Sequence, residues 1–207
     1  MIRPPQLHGA AFSEATDGDI RNDLNARASL SEALGVSDSW ATVHQVHGRD
    51  VVRATVSGDA GNADAVWTTD PGLPVAVFTA DCFGVVMSAS GAVGVAHAGW
   101  RGVLAGVVGE MRSVMIRNGH TPTRAAIGPG IGPCCFEVGT ELISEFSDDG
   151  AITTWGTSSV DLSGSILRQL EGLETWVSKG CTYHHDNWFS HRRNGKPDRL
   201  AAVGWVS

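Results

Sequence analysis

Two histidines and a cysteine occupy positions where a protein commonly places its chemistry. His47, Cys82 and His97 each follow an apolar, strand-like run, and each precedes a glycine by one or two residues. Two imidazoles and one thiol are a suitable ligand set for a zinc ion that keeps one coordination position open to solvent. The pair Cys82 and His97 could instead act without metal as a thiol–imidazole nucleophile. The three residues alone leave both chemistries open, and all three are candidate catalytic residues.

Three arginines are candidate contacts for an anionic substrate. Arg101 opens the helix predicted after His97, where free backbone N–H groups and the positive end of the helix dipole attract anions. Arg192 and Arg193 are adjacent near the C-terminus, and a guanidinium can hold phosphate or carboxylate through two parallel hydrogen bonds. The sequence therefore predicts a local basic pocket at these arginines.

The remaining cysteines give no sign of a disulfide framework. Cys134 and Cys135 are adjacent and cannot readily bridge each other, and with Cys181 they lack the spacing of a zinc ribbon. We expect these residues to pack in the core or to contact the residues of the site without touching a ligand themselves.

Hydrophobic periodicity predicts the elements that must position these residues. Strands outnumber helices and do not alternate regularly with them, which indicates an α+β fold with mixed sheets flanked by helices, in a single domain over residues 1–207. The predicted helices are Leu24–Leu34, Gly102–Asn118, Glu137–Phe146 and Leu162–Leu173 with Asp161 as N-cap, and the predicted strands are Ala41–Val46, Val51–Thr55, Ala65–Trp67, Leu73–Thr79, Gly84–Ala89, Ala92–Ala96, Arg124–Ile127 and Ala201–Val206.

Composition excludes several classes of protein. A net charge of −7 argues against general binding to nucleic acid or to anionic membranes. The N-terminal residues lack the apolar centre of a signal peptide, and no apolar run approaches the roughly 20 residues of a membrane helix. We therefore expect a cytoplasmic protein. The 26 glycines, well above the usual share of about 7%, indicate many tight turns.

Five segments together resemble the YfiH-like family. This family is also called DUF152, the multicopper polyphenol oxidase or laccase family, and the peptidoglycan editing factor family. The resemblance covers nearly the whole chain, and its most specific parts are His-Ala-Gly-Trp-Arg-Gly and the Cys-Cys-Phe-Glu-Val-Gly run. The matching segments are Gln45–Gly48, Thr79–Cys82, His97–Gly102, Gly128–Gly139 and Phe189–Arg193.

The resemblance implies a function and a fold. It implies zinc held by His47, Cys82 and His97, phosphorolysis of adenosine, inosine, guanosine and 5′-methylthioadenosine, and deamination of adenosine. Its substrates would be purine nucleosides and phosphate, handled by a monomer or homodimer. The fold it implies is related to the cysteine deamidase toxin domain.

The chain departs from the family pattern at the edge of the expected pocket. The family's longer N-terminal loop is shortened after Phe12, which puts substrate preference in doubt. Family members often have Cys at the position of His184 and Tyr at that of His191. These differences leave the expected metal ligands unchanged.

Three other functions stay open at the level of sequence. A laccase-like copper oxidase is the family's older label, and a His₂Cys set can hold one copper ion. A metal-free cysteine hydrolase would use Cys82 and His97, and a zinc-stabilised binding module would have no turnover. A role in peptidoglycan editing could coexist with any of them. Because no His-x-Glu motif of the zinc deaminases occurs, the proton-transfer residue of a deamination is unassigned, with Glu137 and Asp81 as weak candidates.

Overall fold

Two β-sheets packed face to face form the centre of the molecule, with helices on both outer faces. The computed structural model describes residues 1–207, except for the side chain of Ser147. The helices are α1 (Leu24–Leu34), α2 (Trp100–Ala105), α3 (Val107–Arg117), α4 (Thr140–Glu145), α5 (Leu162–Gln169) and α6 (His191–Asn194). The strands are β1 (Ala10–Phe12), β2 (Ala41–His44), β3 (Val51–Arg53), β4 (Gly58–Asn62), β5 (Ala65–Thr68), β6 (Val75–Thr79), β7 (Phe83–Ala89), β8 (Ala92–Ala98), β9 (Arg124–Ile127), β10 (Gly150–Ile152), β11 (Ser158–Val160), β12 (Glu174–Val177) and β13 (Leu200–Gly204).

The two main sheets are both mixed. One has five strands in the order β1-β13-β6-β2-β4, and the other has six in the order β12-β9-β7-β8-β5-β3. A separate antiparallel pair joins β10 to β11. The predicted α+β class with mixed sheets and flanking helices is confirmed. The expected kinship with the cysteine deamidase toxin domain stays a prediction, as does the single domain.

Alternation of apolar side chains along the strands builds three core layers. In β7, Val86 faces the five-stranded sheet, whereas Val85 and Met87 face α2, α3 and α5. In β13, Ala202 faces the other sheet and its neighbours Ala201 and Val203 pack toward α1. Each central strand therefore contributes to two core layers. Among the described residues, no helix is long and apolar enough to cross a bilayer.

The long helix predicted over Gly102–Asn118 is wrong as one element. It begins two residues earlier, at Trp100, and is interrupted at Gly106, which has the left-handed conformation with φ of 81°. The Gly106 N–H caps α2 by donating to the carbonyls of Gly102 and Val103, and the same residue then begins α3. The apolar periodicity continues through the break, so it could not reveal it.

The other predicted elements are confirmed, most of them with bounds that differ by a few residues. Helix α1 has the predicted bounds, and Asp161 caps α5 by accepting a hydrogen bond from Gly164 N at 3.1 Å. Helix α4 loses the predicted first turn because Glu137 pairs with Ser159 as an extended bridge. The polar segment near the C-terminus contains the short helix α6, which is not among the predicted elements.

Candidate metal centre

The side chains of His47, Cys82 and His97 meet at one end of the six-stranded sheet; we call them the His–Cys–His cluster. One ligand atom from each residue lies within 4.8 Å of the other two. The two imidazole rings are 4.9 Å apart between centroids and nearly perpendicular, at 81°. His97 is buried, Cys82 is half-buried and His47 is exposed, so the cluster is reached from solvent on the His47 side.

Strand ends and the turns that follow them position all three residues. His97 is the next-to-last residue of β8, and Cys82 lies in the short turn between β6 and β7. The strand predicted to run up to His47 ends at His44, and His47 itself has a positive φ of 62°. Left-handed backbone is uncommon outside glycine and is often found at functional sites.

A fully buried carboxylate, Asp64, organises both histidines. It accepts hydrogen bonds from the backbone N–H groups of Val46, His47 and Gly48, at 3.2, 3.0 and 2.6 Å. It also lies 2.8 Å from His97 Nδ1. With Nδ1 donating to Asp64, the His97 Nε2 is left free to act as a ligand.

Sequence reasoning missed Asp64. An acidic residue just before an apolar strand gives no sign that it is buried, because carboxylates are almost never fully buried unless paired. The only available signal is its place directly before β5, whose residues are all buried.

The electrostatics of the cluster favour a thiolate beside an imidazolium when no metal is bound. Burial alone would raise the pKa of Cys82, but hydrogen bonds from His47 and His97 outweigh it and lower that pKa to about 6. Burial likewise disfavours a charged His97, yet Asp64 and Cys82 raise the pKa of His97 to about 9. The pKa of Asp64 is lowered because hydrogen bonds from His97 and Gly48 prevail over burial. Binding a metal would therefore displace the proton from His97.

A second left-handed residue, Asp81, precedes Cys82 with φ of 85°. Its carboxylate accepts hydrogen bonds from Thr182 Oγ1 and from the backbone N–H of Arg192, both at 2.7 Å. Its carbonyl accepts from Ile131 N at 2.8 Å. These contacts fix the turn that presents Cys82. They also leave Asp81, named above for proton transfer, engaged on both carboxylate oxygens.

The three predicted arginines have different surroundings. Arg101 is exposed in the first turn of α2, with its guanidinium 4.1 Å from the centre of the Trp100 ring. Arg192 is exposed and donates to the carbonyl of Glu137 at 2.9 Å. Arg193 instead donates to four backbone carbonyls, those of Thr182, Tyr183, His185 and Trp188. The Arg193 guanidinium therefore fixes the conformation of that loop. Its contact with phosphate stays a prediction, and the exposed Arg101 and Arg192 are the better candidates for that contact.

Fold and site together define a mixed-sheet α+β protein with a histidine–cysteine cluster that could bind a metal ion. A family model described as multi-copper polyphenol oxidoreductase laccase matches residues 8–207. The chain belongs to this family, which includes the YfiH and DUF152 proteins.

Relatives in sequence carry the name purine nucleoside phosphorylase. The protein ORF3 of Streptomyces griseus, so named, is 39% identical over 183 residues, which are 79% of this chain and 73% of that protein. A purine nucleoside phosphorylase of Deinococcus radiodurans is 36% identical over 199 residues, 89% of this chain and 78% of the relative.

The crystal structure of YlmD from Geobacillus stearothermophilus is similar over almost the whole length. Its TM-score is 0.86 at 28% identity, covering 99% of this chain and 94% of that one. The structure of the Bacillus licheniformis protein YfiH gives a TM-score of 0.80 at 26% identity, covering 89% and 80%.

Proposed function

We propose that the protein is a zinc-dependent purine nucleoside phosphorylase that also deaminates adenosine. The observation that carries the proposal is the convergence of His47, Cys82 and His97 around one point, in a chain whose relatives bear the phosphorylase name. Two imidazoles and a thiolate fit zinc, and the cluster's solvent-facing side leaves a position for substrate or water. A zinc ion held there would supply a Lewis acid and, near neutral pH, a hydroxide nucleophile from water.

The chain's own residues prepare this site. Asp64 fixes the orientation of His97 and shapes the turn that carries His47. Asp81 holds the turn that presents Cys82. This arrangement keeps the donor atoms in place before any ligand arrives, which is the condition for efficient electrostatic catalysis.

Phosphorolysis requires a cationic contact for phosphate. A phosphate oxygen attacks C1′ of the ribose, the C1′–N9 bond breaks, and the purine leaves with the bonding electrons and then gains a proton. Arg101 and Arg192 are the exposed guanidiniums that flank the segments bearing His97 and Asp81. We assign them to hold phosphate and to offset its charge.

Deamination is proposed as a second activity of the same site. Water adds to C6 of adenine and ammonia departs, which requires a proton donor. Glu137 is exposed and accepts a hydrogen bond from Trp155 Nε1 at 2.9 Å, so it has one carboxylate oxygen available. It is the better of the two candidates because Asp81 is engaged on both oxygens.

A copper oxidase is the second candidate, favoured by the family description and by a donor set that also suits one copper ion. One experiment separates the two. Protein loaded with zinc or with copper is given a nucleoside panel with and without phosphate, and purine base, deaminated nucleoside and oxygen uptake with a phenol are measured.

We expect phosphate-dependent release of purine base from the zinc-loaded protein, with activity at background in Cys82→Ala. In Arg101→Ala the KM for phosphate should rise about 10- to 100-fold, the value of a hydrogen bond to a charged group. Arg117→Ala, which removes an exposed guanidinium of α3, should leave it unchanged. Release of no purine from any nucleoside would overturn the proposal, and phenol-dependent oxygen uptake by the copper-loaded protein would establish the oxidase instead.

A further inference from the structure

A second group of side chains that could hold a metal ion shares no residue with the His–Cys–His cluster. Cys134, Cys135, Cys181 and His184, here called the thiol cluster, each place one ligand atom within 4.8 Å of all the others. The first two follow the glycine-rich loop after β9, and the other two lie in the turn after β12. All four cysteines of the protein are free thiols.

Backbone pairing holds the two halves of the thiol cluster together. Gly130 pairs with Cys181 as an isolated parallel bridge, and Thr182 N donates to Gly130 O at 3.0 Å. Gly132 N donates to the Cys181 sulfur at 3.1 Å. An N–H group aimed at sulfur stabilises a thiolate, the form in which cysteine binds a metal.

The separations between ligand atoms are close to those around a tetrahedral zinc ion. Zn–S bonds of about 2.3 Å and Zn–N bonds of about 2.0–2.1 Å at tetrahedral angles place ligand atoms about 3.5–3.8 Å apart. The sulfurs of Cys134 and Cys135 are 3.5 Å apart. The Cys135 sulfur is 3.2 Å from His184 Nε2, slightly below this range, and the Cys134 sulfur is 3.8 Å from Nδ1 of the same ring. Only one of these two ring nitrogens can bind a given ion.

The surroundings allow a metal to enter and then shield it. Cys135 and Cys181 are buried, at 1% and 5% exposure, whereas Cys134 is half-buried and His184 is exposed. Cys134, Cys181 and His184 line a cavity of about 390 Å³ that opens beside them.

We propose that Cys134, Cys135, Cys181 and His184 form a second, structural metal site that binds zinc with all four positions filled by protein. A closed Cys₃His set is typical of structural zinc, in contrast to the open set of the His–Cys–His cluster. The ion would join the loop after β9 to the turn at 181–184. Thr182, within that turn, bonds to Asp81 beside Cys82, so the second site stabilises the frame of the first.

The test is the zinc content of the reduced, full-length protein after saturation with zinc and removal of the excess. Wild type should hold two zinc ions per chain, and Cys82→Ala should hold one. Cys134→Ser and Cys135→Ser should each also hold one, that of the other cluster. His184→Ala should lower the affinity for the second zinc ion by more than about tenfold, because losing even a residue that only orients a metal ligand has an effect of that size. His185→Ala, the adjacent exposed histidine, should retain both ions.

Cobalt substitution identifies which ligands hold each ion and guards against misfolded variants. In Cys82→Ala loaded with cobalt, the thiolate-to-cobalt absorption band should persist and come from the thiol cluster alone. This band should be lost in the double variant Cys82→Ala/Cys134→Ser. The far-ultraviolet circular dichroism of the double variant should equal that of Cys82→Ala. A wild type that binds one zinc, together with Cys82→Ala that binds none, would overturn the proposal and at the same time support metal binding at the first site.

Discussion

At the scale of single residues, the buried carboxylate of Asp64 determines what the His–Cys–His cluster can do. By accepting a hydrogen bond from His97 Nδ1 it directs the other ring nitrogen toward Cys82. It also raises the pKa of His97, and hydrogen bonds from His47 and His97 lower the pKa of Cys82 although burial alone would raise it. We therefore expect a reactive thiol at neutral pH in the metal-free protein.

The pH dependence of alkylation tests this charge state. In metal-free protein, Cys82 should react with iodoacetamide at a rate that reaches half its maximum near pH 6, not near the ordinary value of about 8.5. The rate rises with pH because only the thiolate reacts, and the His97 imidazolium persists up to about pH 9. Peptide mapping distinguishes Cys82 from the other cysteines. Zinc should block the reaction, and a midpoint above pH 8 would contradict the pairing.

The same measurement on Asp64→Asn isolates the carboxylate's part. An amide cannot balance the imidazolium, so the pKa of His97 should fall, and the midpoint for Cys82 should move to higher pH. Zinc affinity should drop about 10- to 100-fold, as expected for the loss of a residue that orients a metal ligand. Asp70→Asn, at an exposed turn, is the control and should change neither.

At the scale of elements, continuous apolar runs predicted the strands well, but backbone-driven pairing escaped prediction. The β7–β8 hairpin and β9 lie where their apolar residues indicate. Strand β4 has the polar sequence Gly58–Asn62, which carries no apolar signal, and forms because its backbone pairs with β2. The break at Gly106 was likewise invisible to periodicity. Strand ends located the three cluster residues, whereas the buried Asp64 depends on tertiary pairing.

The start of helix α2 packs directly on the cluster, and its glycine spacing allows the close approach. A Cβ atom at Gly99 would lie 3.0 Å from the Cys82 sulfur and 3.2 Å from His47 Cδ2. One turn later, a Cβ at Gly102 would lie 2.9 Å from the carbonyl oxygen of Gly48. The His-Ala-Gly-Trp-Arg-Gly segment thus has glycine where a side chain would enter the site.

Gly99→Ala should consequently weaken metal binding while the protein stays folded. Overpacking of this kind costs roughly 1–3 kcal/mol, equivalent to about 5- to 150-fold in affinity. Competition with a chelator for zinc at the first site gives the measurement. Gly109→Ala in α3 adds the same methyl group with 3.8 Å of clearance and should bind zinc as wild type does. Equal affinity in both variants would show that the space at Gly99 is not needed.

At the scale of the whole molecule, the central strands of the two sheets each contribute side chains to two of the three core layers. Neither sheet can therefore separate without disrupting a layer that it shares with the other. The sheets approach each other closely at Gly84 of β7, where a Cβ would lie 2.4 Å from the Cβ of Ala202 in β13. Trp67 lies in the layer beneath α3, and Trp40 lies in the layer beneath α1. Because β7 and β13 link these layers, strain between the two strands should affect the packing beneath α3 as well as the packing beneath α1.

Gly84→Ala should therefore destabilise the protein throughout and leave its unfolding a single transition. The added methyl group forces the sheets apart at a cost of about 1–3 kcal/mol, which for a chain of this size lowers Tm by about 2–4 °C for each kcal/mol. Tryptophan fluorescence and far-ultraviolet circular dichroism should give coincident curves in wild type and variant, as one cooperative domain requires. Gly150→Ala, in strand β10 with 3.8 Å to its nearest neighbour, should keep the wild-type Tm. Two separated transitions, or a loss seen by only one probe, would mean that the layers fold independently.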